Sequence, residues 1–479
     1  MDRVTEPPAP YDLLVTNARL VTPHGVQNGA LAVRDGRIAR LLDSADPLPQ
    51  ATRVINAEAR YLLPGVIDSH VHFRTPGLTH KEDWPHGSRA AAAGGVTTVI
   101  DMPNTQPPLH HPEQAAQKAA QIAGQSLVDY RFHFGVATDT VEQLRRLDSR
   151  TATSVKVFMT GHHTAPSVIS DPAVLDRVFA IAAEQQLRLV LHAEDHAVFE
   201  LLDHKRPAPR TYDDYEAVRP RSGGIVAVSK TIDLVRRHGT AAHVLHVSSA
   251  EEADLLHAAA DAGLPITYET TPHHLSFTAQ DTRRLGARIR LSPAIRQEHD
   301  QERLWAALVA GEITTLGSDH APHTVQEKSR PVPEAPPGLP GVQEMLTAVY
   351  TGLRRRFPEV PVDEHMLLLS RLCAAQPASL FGLDGQKGTV AEGLDADFVL
   401  FDANATWLVS AEHMHTKNRW SAYEGWTFSG RADVTVRRGE VIWDGRNGAA
   451  FGTPNGIWLD AHTDQTHGQP TAPKPVRAR

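Results

Sequence analysis

Two histidines stand two positions apart in a stretch typical of a buried β-strand, GVIDSHVHFRTPG at residues 65–77. Alternate residues of a strand point to the same face, so His70 and His72 should present both imidazoles together. A guanidinium, that of Arg74, follows just before a Pro-Gly turn. Imidazole is a common ligand of divalent metal ions, and the pair therefore indicates metal chemistry.

Other strand-like runs also end in residues that bind metals or move protons. These are Lys156 in SVKVFM, His192 in RLVLHAED, His246 in HVLHVSS and Asp319 in TTLGSDHAPH. Each of them alone is better explained as a hydrogen-bonded or ion-paired structural residue. Agreement of five strand ends by accident is improbable, which favours a shared site.

The chain over residues 61–380 alternates apolar runs with helical segments, as parallel βα units do. Eight strands are predicted, at residues 65–70, 96–101, 130–136, 154–159, 187–192, 243–247, 265–270 and 313–318. A doubly wound open sheet accepts the same elements, but eight strands in one run favour an α/β fold of the (β/α)8 TIM-barrel type. The carboxyl ends of barrel strands meet at one mouth, where the residues named above would come together.

Four histidines and one aspartate exceed the needs of a single catalytic zinc site, which leaves a position open for water. They fit two divalent ions that lie close together and share bridging ligands. Lysine is an unexpected neighbour of two cations unless its charge is removed or inverted. Carbamylation by CO₂ would turn Lys156 into an anionic bridging ligand, and this is the chemistry that we assign to it.

Composition excludes several other functions. The 479 residues carry a formal net charge of −8, with 41% hydrophobic residues and neither a basic stripe nor a long apolar window. Nucleic acid and membrane are therefore not expected partners. The single cysteine, Cys373, excludes an internal disulfide and a thiolate metal cage, which fits a reducing, cytoplasmic location.

Both ends of the chain alternate apolar and polar residues between Gly, Asn and Asp, as short antiparallel strands do. We expect a small β-sandwich built from residues 1–60 and 381–458, a barrel over 61–380 and a flexible tail at 459–479. The Pro-containing segment 325–341 should form a long, stiff loop that serves as a rim or lid.

Several motifs resemble those of the cyclic amidohydrolases of the amidohydrolase superfamily, and among these most closely the dihydroorotases. They are PGVIDSHVHFRTPG, AAAAGGVTTVIDMPNTQPP, VKVFMTG, LHAED, LHVSS, TPHHLSF and GSDHAPHTVQEK, with EGLDADFVLFD and KNRWSAYEGWTFSG near the end. The resemblance covers nearly the whole chain. It implies a barrel with two zinc ions, the first held by His70, His72 and Asp319, the second by His192 and His246, and carboxylated Lys156 as the bridge.

The resemblance also implies a mechanism and a substrate. A hydroxide shared by both ions would attack the ring amide carbonyl, and Asp319 would pass its proton to the leaving nitrogen. The reaction would interconvert N-carbamoyl-L-aspartate and L-dihydroorotate in pyrimidine synthesis. Arg74 would bind the substrate carboxylate with two parallel hydrogen bonds, and Asn104 and His323 would complete that pocket. A homo-oligomer, either dimer or tetramer, is expected, and docking on a carbamoyltransferase is left open.

Three features depart from the dihydroorotase pattern: Thr75 where Glu is usual, Ser292 where Asn is usual, and RSGGIVA at 221–227. Because hydantoinase relatives often have this serine, a hydantoinase, dihydropyrimidinase or allantoinase-type ring opener is the first alternative. Their substrates lack a carboxylate, and these relatives typically have Asp or Asn at the position of Arg74. A non-catalytic partner subunit is the second alternative, and the complete set of ligands argues against it.

Overall fold

A computed structural model of the chain describes residues 10–147, 153–161, 167–203, 210–332, 334–446 and 448–459. Residues 460–479 of the predicted flexible tail lie outside these ranges. Leu459, the first residue of that predicted tail, is buried, and its N–H donates to the carbonyl of Tyr130. Within the described ranges, no helix is long and apolar enough to cross a membrane.

Five strands joined by turns and short loops open the described chain. They are β1 (Tyr11–Thr22), β2 (Gly25–Arg34), β3 (Arg37–Asp43), β4 (Ala51–Asn56) and β5 (Tyr61–Pro64). β1, β2 and β3 form consecutive antiparallel hairpins. The second hairpin turns at Asp35 and Gly36, whose φ angles of 52° and 74° suit an Asp-Gly turn.

Nine parallel strands form the middle of the chain as far as the structure describes it, and each overlaps a predicted strand. They are β6 (Val66–Val71), β7 (Val96–Asp101), β8 (Asp129–Phe132), β9 (Phe134–Gly135), β10 (Val155–Phe158), β11 (Leu189–His192), β12 (Ala242–Val244), β13 (Ile266–Thr270) and β14 (Thr315–Leu316). Nearly all of their residues are buried, as expected of strands that are covered by helices outside and by side chains within.

These strands close into a barrel. β6 to β8 pair in one parallel sheet and β9 to β14 in another. Only His133 separates β8 from β9, so the two pieces occupy the third of eight barrel positions. A parallel bridge between Val71 and His320 joins β6 to the segment after β14. The predicted (β/α)8 barrel is therefore confirmed.

Helices surround the barrel. They are α1 (Trp84–Ala93), α2 (Pro112–Ile122), α3 (Pro172–Glu184), α4 (His196–Asp203), α5 (Tyr215–Val218), α6 (Arg221–His238), α7 (Ala250–Asp261), α8 (Pro272–Ser276), α9 (Thr282–Leu285), α10 (Glu298–Ala310), α11 (Val325–Lys328), α12 (Met345–Arg356), α13 (Val362–Ser370) and α14 (Gln376–Leu380). α3 begins where Asp171 accepts the N–H of Ala173 at 2.7 Å and Pro172 takes the first helical position.

Four strands follow the barrel and join the first five. They are β15 (Phe398–Leu408), β16 (Thr427–Arg437), β17 (Glu440–Asp444) and β18 (Ala450–Phe451). The sheet runs β18-β17-β16-β15-β5-β1-β2-β3, with β4 on β1. This confirms a sandwich domain built from both chain ends. β5 belongs to this sheet, so the sandwich continues past the expected boundary at residue 60, as far as Pro64.

A buried lysine connects the barrel with the sandwich. Lys387 Nζ lies 3.0 Å from Asp129 of β8, 2.9 Å from Asp395 and 2.7 Å from Asp397. All four residues are buried. This ion cluster fixes the position of the chain as it leaves the barrel for β15.

Candidate active site

Two imidazoles and a carboxylate converge at the carboxyl end of β6. Nε2 of His70 lies 3.2 Å, and Nε2 of His72 lies 3.3 Å, from Oδ1 of Asp319. The three ligand atoms are close enough to bind one metal ion.

Three of the predicted strand-end residues stand beyond their strands, and His72 is the first residue after β6. β14 ends at Leu316 and β12 at Val244, so Asp319 and His246 lie in the loops that follow. Their φ angles are 44° and 39°, and Arg74 has a φ of 61°. All three values fall in the left-handed region that side chains with a Cβ disfavour. Such strain is typical of functional sites, where the surrounding structure imposes the conformation.

Glu269, on β13, supports the first imidazole. Nδ1–H of His70 donates to Oε1 of Glu269 at 2.5 Å, which leaves Nε2 with the lone pair that a metal requires. The backbone N–H of His246 donates to the same oxygen at 3.3 Å. Sequence reasoning missed Glu269, although it stands near the end of the seventh predicted strand, as a ligand would.

Asn104 supports the second imidazole. Its Oδ1 accepts a hydrogen bond from Nδ1–H of His72 at 2.7 Å, which turns Nε2 toward Asp319. Burial lowers the pKa of His72 to about 3 and keeps the ring neutral, the form that binds metals. The family resemblance implies that Asn104 contacts the substrate carboxylate, and the structure places its carbonyl oxygen behind a candidate metal ligand.

The third imidazole has a carboxylate behind it as well. Nε2–H of His192 donates to Oε2 of Glu194 at 2.8 Å, and Glu194 forms an ion pair with Arg219. Nδ1 is therefore the nitrogen of His192 that can bind a metal. Glu194 was not predicted from the sequence, although it stands only two residues after His192 in LHAED.

Lys156 and His246 complete the group. Lys156, on β10, is 1% exposed, and its Nζ lies 4.6 Å from the ring centre of Phe158. Burial lowers the pKa of Lys156 to about 7, which makes the neutral amine accessible near neutral pH. The ring of His246 lies 4.6 Å from that of His192 and 5.3 Å from that of His70. The structure thus brings together all six residues predicted as metal ligands.

The donor set fits divalent metal ions. Three of the imidazoles have one nitrogen fixed by a protein acceptor, which orients the ring for ligation by the other. Nδ1 of His246 is buried and lacks a hydrogen-bond partner among the described residues. Unpaired buried polar atoms are rare, and one beside neutral imidazoles and a carboxylate matches the ligand chemistry of zinc.

Arg74 is buried next to this cluster, with 2% of its surface exposed. Its Nε and Nη1 have no hydrogen-bond partner within the described part of the chain. Burial lowers its pKa to about 10, against the opposing effect of Asp319, so the guanidinium stays charged at neutral pH. A buried cation with unpaired N–H groups is costly, and an anion placed beside it would remove that cost.

His323 uses both ring nitrogens within the protein. Nζ of Lys81 donates to Nδ1 at 3.0 Å, and Nε2–H donates to the carbonyl of Pro337 at 2.9 Å. Lys81 also forms an ion pair of 2.9 Å with Glu327. His323 was predicted as a carboxylate contact, and in the structure it orders the wall of the pocket. Lys81 was not predicted from the sequence, although its position in HKED shortly after Arg74 could have indicated a residue near the site.

One of the three departures from the sequence pattern faces the site. Ser292 lines the pocket, and its Oγ lies 3.0 Å from the hydroxyl of Tyr215. Thr75 donates to the carbonyl of Phe73 at 3.3 Å. Segment 221–227 begins α6, where Arg221 pairs with Asp300 of α10 at 2.7 Å. Ser292 is therefore the departure with the most direct bearing on the substrate.

A pocket opens above the cluster of candidate ligands. Its remaining walls are Phe158, Leu291, Ser292, Ala321, Pro337 and Gly338. The last two belong to segment 325–341, which begins with the short helix α11. Small and apolar walls with one hydroxyl suit a compact ring.

Comparisons with known proteins agree with this geometry. A model of the amidohydrolase family matches residues 61–442. An allantoinase of Streptomyces avermitilis is 34% identical over 90% of this chain and 95% of its own length. A dihydroorotase of Halobacterium salinarum is also 34% identical, over 88% of this chain and 95% of its own.

Hydantoinases are similar as well. An L-hydantoinase of Paenarthrobacter aurescens is 31% identical over 90% of this chain and 94% of its own. The solved structure of an L-hydantoinase from Arthrobacter aurescens superposes with a TM-score of 0.86 at 28% identity, covering 94% of this chain and 99% of that one. The relatives therefore share the architecture, and they differ in the cyclic substrate for which they are named.

Proposed function

The chain belongs to the amidohydrolase family, and we propose that it is a dihydroorotase, which interconverts L-dihydroorotate and N-carbamoyl-L-aspartate in pyrimidine synthesis. At a coarser level it is a metal-dependent hydrolase of cyclic amide C–N bonds, in the group of dihydroorotases, allantoinases and hydantoinases. Within this group, we propose L-dihydroorotate as the substrate.

Arg74 is the observation that carries this choice. Its guanidinium is buried beside His72 and Asp319, with Nε and Nη1 lacking protein partners among the described residues. L-dihydroorotate has a ring carboxylate that would accept charge-assisted hydrogen bonds from this guanidinium. Dihydrouracil, hydantoin and allantoin have no carboxylate and would leave the buried charge unpaired.

We assign the metal ligands as the sequence predicts them. His70, His72 and Asp319 would hold one ion, His192 and His246 would hold the other, and carboxylated Lys156 would serve as a ligand of both; zinc is the metal we propose. When bound, such ions polarise the ring carbonyl and lower the pKa of water to near neutrality. This role requires neutral imidazoles, and burial lowers the pKa of His72, His192 and His246 accordingly.

The protein's own groups position the ring and move the proton. Arg74 orients the ring through its carboxylate, so that the amide carbonyl faces the ligand cluster. Asp319 accepts the proton of the attacking water and returns it to the ring nitrogen as the C–N bond breaks. Glu269 and Asn104 keep His70 and His72 in the required tautomers during these steps.

A hydantoinase-type activity is the second candidate, and Ser292 favours it. Its hydroxyl lines the pocket where dihydroorotases usually have Asn, and the L-hydantoinase structure is closely similar. An uncharged ring would contact the wall at Ser292 and would form no ion pair with Arg74. The assembly as a homodimer or homotetramer and the cytoplasmic location stay predictions.

The test is kcat/KM of zinc-loaded protein for L-dihydroorotate, dihydrouracil, hydantoin and allantoin. A preference for L-dihydroorotate of at least about a hundredfold is expected, because only this ring pairs with the buried guanidinium. A preference for an uncarboxylated ring would retain the metal chemistry and reject the proposed substrate. No turnover of any ring by fully metal-loaded protein would favour the inactive partner subunit.

A further inference from the structure

Three consecutive carbonyl groups at the edge of the pocket, two of them from the lining residues Pro337 and Gly338, are held by buried side chains. Nζ of Lys328 donates to the carbonyl of Pro336 at 2.9 Å and to that of Gly338 at 2.7 Å. The carbonyl between them, that of Pro337, accepts Nε2–H of His323 at 2.9 Å. We call residues 336–338 the rim.

The backbone of the rim is itself restricted. Pro336 and Pro337 have a fixed φ and no N–H, so their backbone can form hydrogen bonds only through the carbonyl groups. Gly338 has a φ of +125°, and a Cβ there would lie 2.5 Å from the carbonyl oxygen of Ala321. Its N–H donates to the carbonyl of Arg290 at 2.9 Å. Pro-Pro-Gly therefore suits one conformation of the rim.

The rim is joined directly to the catalytic segment. The N–H of Ala321 donates to the carbonyl of Leu339 at 2.9 Å, and Leu339 forms a parallel bridge with His320. Pro337 and Gly338 line the pocket together with Asp319. A shift of the rim would therefore change the space above the proposed general base.

Lys328 is unusual in its surroundings. It is 7% exposed, and no carboxylate of the described residues lies within 4 Å of its Nζ. Its two carbonyl partners and the ring of Trp420, 5.9 Å away, take the place of an ion pair. A buried ammonium is costly, and carbonyl groups that surround it compensate only if the chain keeps their positions. The buried position of Lys328 and the conformation of the rim therefore depend on each other.

We propose that Lys328 is a positioning residue that holds residues 336–338 as a fixed rim of the substrate pocket, which admits a small ring without closing over it. His323, oriented by Lys81, holds the middle carbonyl of the same rim. The effect on substrate rests on the proposed cyclic amide hydrolysis, whereas the rigidity of the rim does not depend on it.

The test compares wild type with Lys328→Met, which keeps the length of the side chain and removes its donors. Hydrogen exchange of peptides covering residues 334–341 should be slow in wild type and at least about tenfold faster in the variant. KM for the accepted ring should rise roughly tenfold, with kcat within about twofold and metal content unchanged. Lys328→Arg retains donors and should restore part of the protection.

Lys387→Met is the matched control, because Lys387 is also buried but binds aspartates at the junction with the sandwich. It should lower thermal stability without changing exchange at 334–341 or KM. Exchange and KM that stay at wild-type values in Lys328→Met would overturn the proposal. So would fast exchange in wild type that becomes slow when a substrate is bound, since that describes a closing lid. If no cyclic amide is hydrolysed, the proposed function fails, while the exchange data still decide on the rim.

Discussion

Oε1 of Glu269 lies 2.5 Å from Nδ1 of His70 and also accepts the backbone N–H of His246. One buried carboxylate thus touches residues that we assign to two different metal ions. Burial would raise the pKa of Glu269, but His70 and His243 lower it to about 2, so it is ionised over the range in which enzymes work. Glu269 therefore ties the two halves of the centre together.

Glu269→Gln should weaken metal binding about 10- to 100-fold, because an amide is a poorer hydrogen-bond acceptor for His70 than a carboxylate. The measurement is the number of zinc ions per chain that remain after dialysis against a graded series of chelator concentrations. Glu252→Gln is the control, since Glu252 is also buried but binds Ser248 and Ser249 at the start of α7. Equal zinc retention in the two variants would show that Glu269 has no special role.

Arg74→Met should raise KM for L-dihydroorotate by about a hundredfold, because the substrate carboxylate loses a charge-assisted pair. Turnover of dihydrouracil or hydantoin, where it exists, should change less than about threefold. Arg131→Met removes another buried arginine, which donates to the carbonyl of Phe381 away from the cluster, and should leave the ratio of the two substrates unchanged. A similar loss for both kinds of ring would make Arg74 a structural residue.

Asp319→Asn should reduce kcat about a thousandfold, because the amide cannot accept a proton. The backbone should tolerate it, since Asn adopts the left-handed conformation found at this position more readily than most residues. Circular dichroism and the melting temperature should therefore remain close to wild type. Activity within tenfold of wild type would remove Asp319 from the proton-transfer role.

Lys156→Ala should lose metal, and a short carboxylic acid such as propionate should restore part of it by replacing the proposed carbamate. Metal content after desalting, with and without the acid, is the measurement. Sodium chloride at the same ionic strength is the control, since chloride lacks the two oxygens with which a carboxylate would replace the carbamate. Wild-type metal content in the variant without added acid would reject Lys156 as a ligand.

Glu344→Gln should stabilise the protein more at pH 8 than at pH 5. Burial raises the pKa of Glu344 to about 7, although Ser421 opposes this shift, so the folded state favours the protonated form. Its contribution to stability is complete below the unfolded pKa of about 4.5 and is lost as the pH rises to about 7. The loss is on the order of 3 kcal/mol. The measurement is the melting temperature between pH 5 and pH 8. The exposed variant Glu424→Gln is the control and should follow the pH dependence of the wild type, whereas Glu344→Gln should not. Parallel pH profiles for the two variants would contradict the prediction.

The convergence of the candidate ligands was predictable because barrel topology makes strand ends neighbours. Histidine or aspartate after an apolar run is visible in the sequence, and parallel strands bring such ends to one mouth. The exact strand ends were not predictable. Asp319 and His246 lie past the last paired residues, in left-handed backbone that tertiary contacts impose and no local pattern encodes.

The supporting residues were harder to predict for a different reason. Glu269 and Asn104 are far from their histidines in sequence, and only the folded barrel brings each pair within hydrogen-bonding distance. Lys328 looks like the exposed last residue of a short helix, and the rim that buries it is formed by a loop without periodicity. Such contacts are properties of the whole fold rather than of a motif.

The pairing of β5 with β15 has a consequence for synthesis of the chain. Leu62 and Leu63 lie opposite Leu400 and Val399, and the entire barrel separates these partners in sequence. Until β15 leaves the ribosome, β5 exposes an unpaired and strongly apolar edge, which is a template for wrong association. The barrel must therefore bring its two ends together before the sandwich can form, and a chain interrupted anywhere inside the barrel is expected to aggregate rather than yield a folded amino-terminal fragment.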